Sequence, residues 1–121
     1  MVLVAVDDFL FRSKIRTTGK QAGVELVFAQ SGRDVLDQAR ALKPPLVIFD
    51  LNSSKLEPIA AITAIKQDPA LAGIRTLGFV SHVDADAIAA ARQAGTDQVM
   101  ARSAFAAQLA EILLAGGTGP A

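Results

Sequence analysis

The stretch LVIFDLNSS, Leu46 to Ser54, decides how this chain is read. Four consecutive apolar residues, Leu46 to Phe49, describe a strand buried on both faces, as in a parallel sheet. The run ends on a bare carboxylate, Asp50. An anion at the edge of a core is costly unless an opposite charge meets it. The strand and the question of what partners Asp50 set the rest of the reading.

Outward from this stretch lie four more apolar runs: VLVAV (Val2–Val6), VELVFA (Val24–Ala29), TLGFV (Thr76–Val80) and QVMA (Gln98–Ala101). The segments between them have helical spacing. SGRDVLDQARAL offers Ser31 as an N-cap with Asp34 three residues on, and then lines Val35, Leu36, Ala39 and Leu42 along one face. PIAAITAIKQ repeats Ile59, Ile62 and Ile65, and DADAIAAARQAG opens on Asp84 and closes on Gly95. In FAAQLAEILLAGG, Phe105, Leu109, Ile112 and Leu113 form one stripe. The segment after Asp8 is the weakest helix by propensity, because of Thr17, Thr18 and Gly19, and only packing of Phe11 and Ile15 would hold it. Strand and helix alternate five times, which predicts an α/β fold with a doubly wound, five-stranded parallel sheet and helices on both faces. Residues 1–115 form the expected domain, and GGTGPA (116–121) a flexible tail or linker stub.

The bulk numbers limit the function classes. A chain of 121 residues suits one domain and is short for two. Lys and Arg balance Asp and Glu at 12 each, so no basic field exists for nucleic acid or anionic lipid. Cysteine is absent, which removes disulfides and thiolate metal sites and fits a reducing compartment. The opening MVLVAVDDFLF lacks the cationic start of a signal peptide, and no apolar run is long enough to insert in a bilayer. A cytoplasmic location is therefore expected. Asn52-Ser53-Ser54 matches the glycosylation pattern, read here as a chance match in a turn.

The first run is followed by Asp7-Asp8 and the third ends in Asp50. In folds of this class the working crevice lies at the carboxyl ends of the strands, where strand order reverses. If the order is 2-1-3-4-5, these three carboxylates gather there. Like charges so close raise one another's pKa unless a cation joins them. With no His or Cys among them, a hard ion such as Mg²⁺ is the natural guest, with room left for a phosphate oxygen. Taken singly, Asp8 also suits a helix cap and Asp50 a turn.

VLVAVDDFLFR, LVIFDLN, GFVSH and AGTDQVMAR together resemble the landmarks of the two-component response-regulator receiver domain, in order and spacing, from Val2 to Leu114. The resemblance implies a flavodoxin-like fold with strand order 2-1-3-4-5. It implies that Asp50 accepts a phosphoryl group from a sensor histidine kinase or a histidine phosphotransfer protein. Asp8 and Asp50 would bind Mg²⁺ directly, Asp7 through water, and the backbone carbonyl of Asn52 would supply another ligand. Ser81 stands where the family keeps a hydroxyl for the phosphoryl oxygen, and Arg102 where it keeps a Lys. Such a domain is not a classical enzyme, although it assists its own phosphorylation and dephosphorylation. Its downstream protein target would be met in trans or on an output domain.

Several positions depart from that pattern. Arg102 brings a planar fork in place of a point charge, with three placements open to it: on a phosphoryl oxygen, paired with Asp50, or facing solvent. Ser103 follows it where the family has Pro, so a trans bond and a reshaped loop are expected. Pro58 replaces a Gly, Val99 an aromatic residue, and His82 stands where a small residue is common. Ser81 suits a turn before Asp84 as well as a phosphate contact, and Lys55 reads as a solvated rim residue. The alternative function is a phosphorylation-independent pseudo-receiver that acts as a protein-interaction module.

Overall fold

The computed structural model describes residues 1–81 and 84–118. Strands β1 (Val2–Ala5), β2 (Leu26–Phe28), β3 (Leu46–Asp50), β4 (Arg75–Val80) and β5 (Gln98–Ala101) form one parallel sheet in the order β2-β1-β3-β4-β5. The helices are α1 (Phe9–Ala22), α2 (Gly32–Leu42), α3 (Pro58–Gln67), α4 (Ala85–Gln93), α5 (Arg102–Ala107) and α6 (Leu109–Thr118).

Alternate residues of the central strands feed two cores. Val2, Val4 and Ile48 pack with Phe11 and Ile15 of α1 and with Phe105, Leu109 and Leu113 of the last two helices. Leu3, Val47 and Phe49 face the other way, against Ala39 of α2, Ile62 and Ile65 of α3, and Ala91 of α4. Every residue of β1 and β3 is buried, as their unbroken apolar runs require. Each large side chain so buried contributes about 1.5–3 kcal/mol.

The helix expected to be weakest is the longest, 14 residues. Asp8 Oδ1 accepts a hydrogen bond from Phe11 N–H at 2.9 Å, and Phe11, Ile15 and Gly19 are buried. A cap and a packed face thus outweigh poor propensity at Thr17 and Thr18. Ser31 caps α2 by accepting from Asp34 N–H, and Asp84 caps α4 by accepting from Ala87 N–H. α3 opens on Pro58, whose missing N–H is no loss in a first turn, after Glu57 with φ 46°.

Two expectations change at the carboxyl end. The single last helix is broken at Gln108 into α5 and α6, although Phe105, Leu109 and Leu113 keep one buried stripe across the break. α6 continues to Thr118, into the stretch expected as a tail from residue 116. Gly116 is buried against Leu46, so closely that a Cβ there would meet the Leu46 side chain. Close packing of a helix on the start of β3 is what Gly116 permits; the composition alone reads as a linker. Residues 119–121 lie outside the described part.

At the amino ends of the strands, Lys66 Nζ donates to Asp97 Oδ2 at 2.8 Å and to the Ile74 carbonyl at 2.9 Å. Asp97 Oδ2 also accepts from the buried Thr76 through its N–H, 2.8 Å, and its hydroxyl, 3.2 Å. Burial pushes the Asp97 carboxyl up, but Lys66 and Thr76 outweigh it and hold the group below its ordinary value.

Candidate functional site

The site lies at the opposite end of the sheet. Asp50 is the last residue of β3 and only 7% exposed. Leu51 N–H bonds to the Phe79 carbonyl at 2.9 Å, and the Leu51 side chain lies over Gly78. A Cβ at Gly78 would sit 2.8 Å from three Leu51 carbons, so the glycine lets the loop fold down tightly on β4.

The loop then turns back on its own carboxylate. Asp50 Oδ1 accepts from Asn52 N–H at 3.0 Å. The Asn52 side chain reaches across to β4, where its Oδ1 accepts from Ser81 N–H at 2.7 Å. Burial raises the pKa of Asp50, the Asn52 N–H and the Arg102 charge oppose the rise, and the charges of Asp8 and Asp7 add to it. Asp8 and Asp7 thus act electrostatically on Asp50.

Asp8 is doubly engaged. Its Oδ1 caps α1, and its Oδ2 lies 3.5 Å from Arg102 Nη2. Arg102 is the first residue of α5 and follows β5 without an intervening loop, across a trans bond to Ser103. Its guanidinium carbon sits 4.3 Å above the centre of the Phe11 ring. Phe11 in turn meets Phe79 at 5.2 Å, and Phe79 stacks on Phe105 at 4.7 Å. The carboxylate partner of Arg102 is thus Asp8 rather than Asp50.

The donors fit a hard cation in kind, being oxygen throughout. Among the described residues, however, no three His, Cys, Asp or Glu side chains converge into a ready metal cluster. An ion at Asp8 would have to displace the guanidinium from Oδ2. Ser81 is exposed just beyond β4, Lys55 is exposed on the rim, Val99 is half-buried on β5, and His82 lies outside the described residues. The sequence reading missed the Asn52 side chain, which it had used only for its backbone carbonyl. An Asn two residues beyond a strand-end carboxylate was the available signal, since its short amide readily bonds loop backbone.

A family model for the response regulator receiver domain matches residues 2–114. The chain is a response-regulator receiver domain. This receiver is 28% identical over 112 residues to the response regulator protein VraR of Staphylococcus aureus, covering 92% of the receiver and 49% of that protein. It is 26% identical over 84 residues to VraR of Staphylococcus saprophyticus, covering 69% and 39%. The receiver therefore spans about half the length, or less, of these curated relatives. A response regulator from Hahella chejuensis shares its fold with a TM-score of 0.82 at 21% identity, covering 93% of the receiver and 91% of that chain. The Mn(2+)-bound form of response regulator Rcp1 has a TM-score of 0.76 at 16% identity, covering 92% and 89%. The phosphorylated cyanobacterial phytochrome response regulator RcpA has 0.77 at 23%, covering 93% and 86%. No described helix is long and apolar enough to cross a membrane.

Proposed function

We propose that this receiver accepts a phosphoryl group on Asp50 from a phosphohistidine. The observation that carries the reading is Asp50 itself: a carboxylate at a buried strand end, held by the Asn52 N–H and within electrostatic reach of Arg102, Asp8 and Asp7. A carboxylate oxygen attacks phosphorus as the P–N bond to the imidazole breaks, and the imidazole keeps the bonding pair. Asp8, Asp50 and the Asn52 carbonyl, with Asp7 nearby, would hold Mg²⁺, which would supply charge neutralisation when bound. Arg102 and the Ser81 hydroxyl bind the transferred oxygens, and the Asn52 N–H orients the attacking carboxylate. The donor is a sensor histidine kinase or a histidine phosphotransfer protein, met in the cytoplasm. The receiver turns over no external substrate and signals to a protein target in trans or on an attached output domain.

Intact mass after incubation with acetyl phosphate or the donor kinase, with and without Mg²⁺, tests this reading. One Mg²⁺-dependent phosphoryl group, absent in Asp50→Asn, is the expected result; no label from either donor overturns it. The pairing of Arg102 with Asp8 supports a second reading, a receiver used only for protein interaction. In that case Asp50→Asn keeps every partner interaction.

A further inference from the structure

A cavity of about 830 Å³ crosses the carboxyl ends of β4 and β5, bounded by α1, α4 and α5, next to Asp50 but not lined by it. Its volume falls within the span of small-molecule sites, about 300–1,000 Å³. Leu10, Ile88, Val99 and Met100 supply apolar walls, and Leu10 is 78% exposed. Val99, Ala101 and Ala106, among the side chains that line it from β5 and α5, are small and leave space there, and the chain has no Trp or Tyr.

Charge identifies the occupant. Lys14, Arg92 and Arg102 line the cavity, while none of the chain's 12 acidic residues does. In a chain of zero net charge this is a local excess. Arg102 is paired with Asp8, but Lys14 and Arg92 form no ion pair among the described residues. Ser81 and Ser103 add hydroxyls beside the cations. An apolar floor ringed by cations is complementary to an apolar body that carries an anionic head.

We propose that this cavity binds a small amphipathic organic anion, an aromatic or aliphatic body bearing a carboxylate, sulfonate or phosphate. The body lies on Val99, Ile88 and Leu10, and the head meets Arg92 and Lys14. The cavity shares Ser81 and Arg102 with the proposed phosphoryl site, but binding there does not require Asp50 to be the acceptor.

The test uses the full chain and two probes of nearly one shape, 8-anilinonaphthalene-1-sulfonate and its neutral counterpart N-phenyl-1-naphthylamine, followed by fluorescence. The anionic probe is expected to bind saturably, one per chain, at least tenfold more tightly than the neutral one. Replacing both exposed cations, Lys14→Gln with Arg92→Gln, should weaken the anionic probe about tenfold and leave the neutral one unchanged. Val99→Phe, which fills the floor, should weaken both, and Asp50→Asn should change neither. Circular dichroism and the thermal transition of each variant identify a fold failure, and the exposed-cation variant keeps the test open if Val99→Phe misfolds. No saturable binding overturns the proposal, as does binding indifferent to both changes. Equal affinity for the two probes also overturns it, because that marks an apolar surface suited to a protein partner.

Discussion

At the residue scale the site turns on Asn52, which bonds both Asp50 and Ser81. Its N–H holds Asp50, and its side chain holds the Ser81 backbone. Asn52→Asp keeps an acceptor for Ser81 N–H, whereas Asn52→Ala removes it. The Ala variant is expected to label about tenfold more slowly, corresponding to about 1.4 kcal/mol, while Asp keeps the bond to Ser81 but adds a fourth carboxylate beside Asp50. The amide resonance of Ser81 should shift in Ala. A Mg²⁺ affinity left unchanged in Ala would show the side chain acting apart from the carbonyl. Asp50 yields a second expectation. Its folded-state pKa is raised, so the folded protein holds this proton more tightly than the unfolded chain, and ionisation at neutral pH weakens the fold. Asp50→Asn should therefore raise Tm at pH 7 without divalent ions. That gain should shrink as the pH falls from the raised value toward the ordinary carboxylate range. A thermal melt series across pH checks both sign and window.

At the scale of elements, the strands and most helices were legible in the sequence because their signals are local. The run Leu46 to Phe49 fixes β3 by composition, and Ser31 and Asp84 announce their helices by capping chemistry. Two features needed distant partners and were not legible. α6 runs through Gly116 because Leu46, 70 positions away, receives it. Arg102 meets Asp8 because β5 leads directly into α5, and no spacing rule along the chain reports that contact. The presence of three acids, a serine and a cation was legible; which cation pairs with which acid was not. Gly78→Ala probes the loop as a unit. Its new methyl group pushes against Leu51, which is expected to cost about 1–3 kcal/mol in urea unfolding. The Asn52 and Ser81 amides should shift with it.

At the scale of the whole molecule, the two ends of the sheet carry opposite electrostatics. One end crowds acids around a single guanidinium, and the other joins Lys66, Asp97 and Thr76 in a satisfied network. Asp97→Ala leaves the Thr76 N–H without its acceptor and should destabilise the fold by about 1–3 kcal/mol at pH 7. Because Asp97 is held below its ordinary pKa, its contribution is present above the unfolded-state value and fades as the pH falls through the folded one. The gap between wild type and variant should therefore narrow in strong acid, as urea titrations at pH 7 and in strong acid can show. The network belongs to stability, since it lies across the sheet from the site.

β3 is paired on both sides, to β1 and to β4, and Asp50 is its final residue. Each of its companions belongs to a loop, a helix cap or a strand-to-helix junction. The consequence is a division in time. Amides of β3 should exchange with solvent only when the whole domain opens, whereas those of Asn52 and Ser81 should exchange through small local openings. An event at Asp50 can thus rearrange its surroundings many times within the lifetime of one folded sheet, with the carboxylate as the fixed point.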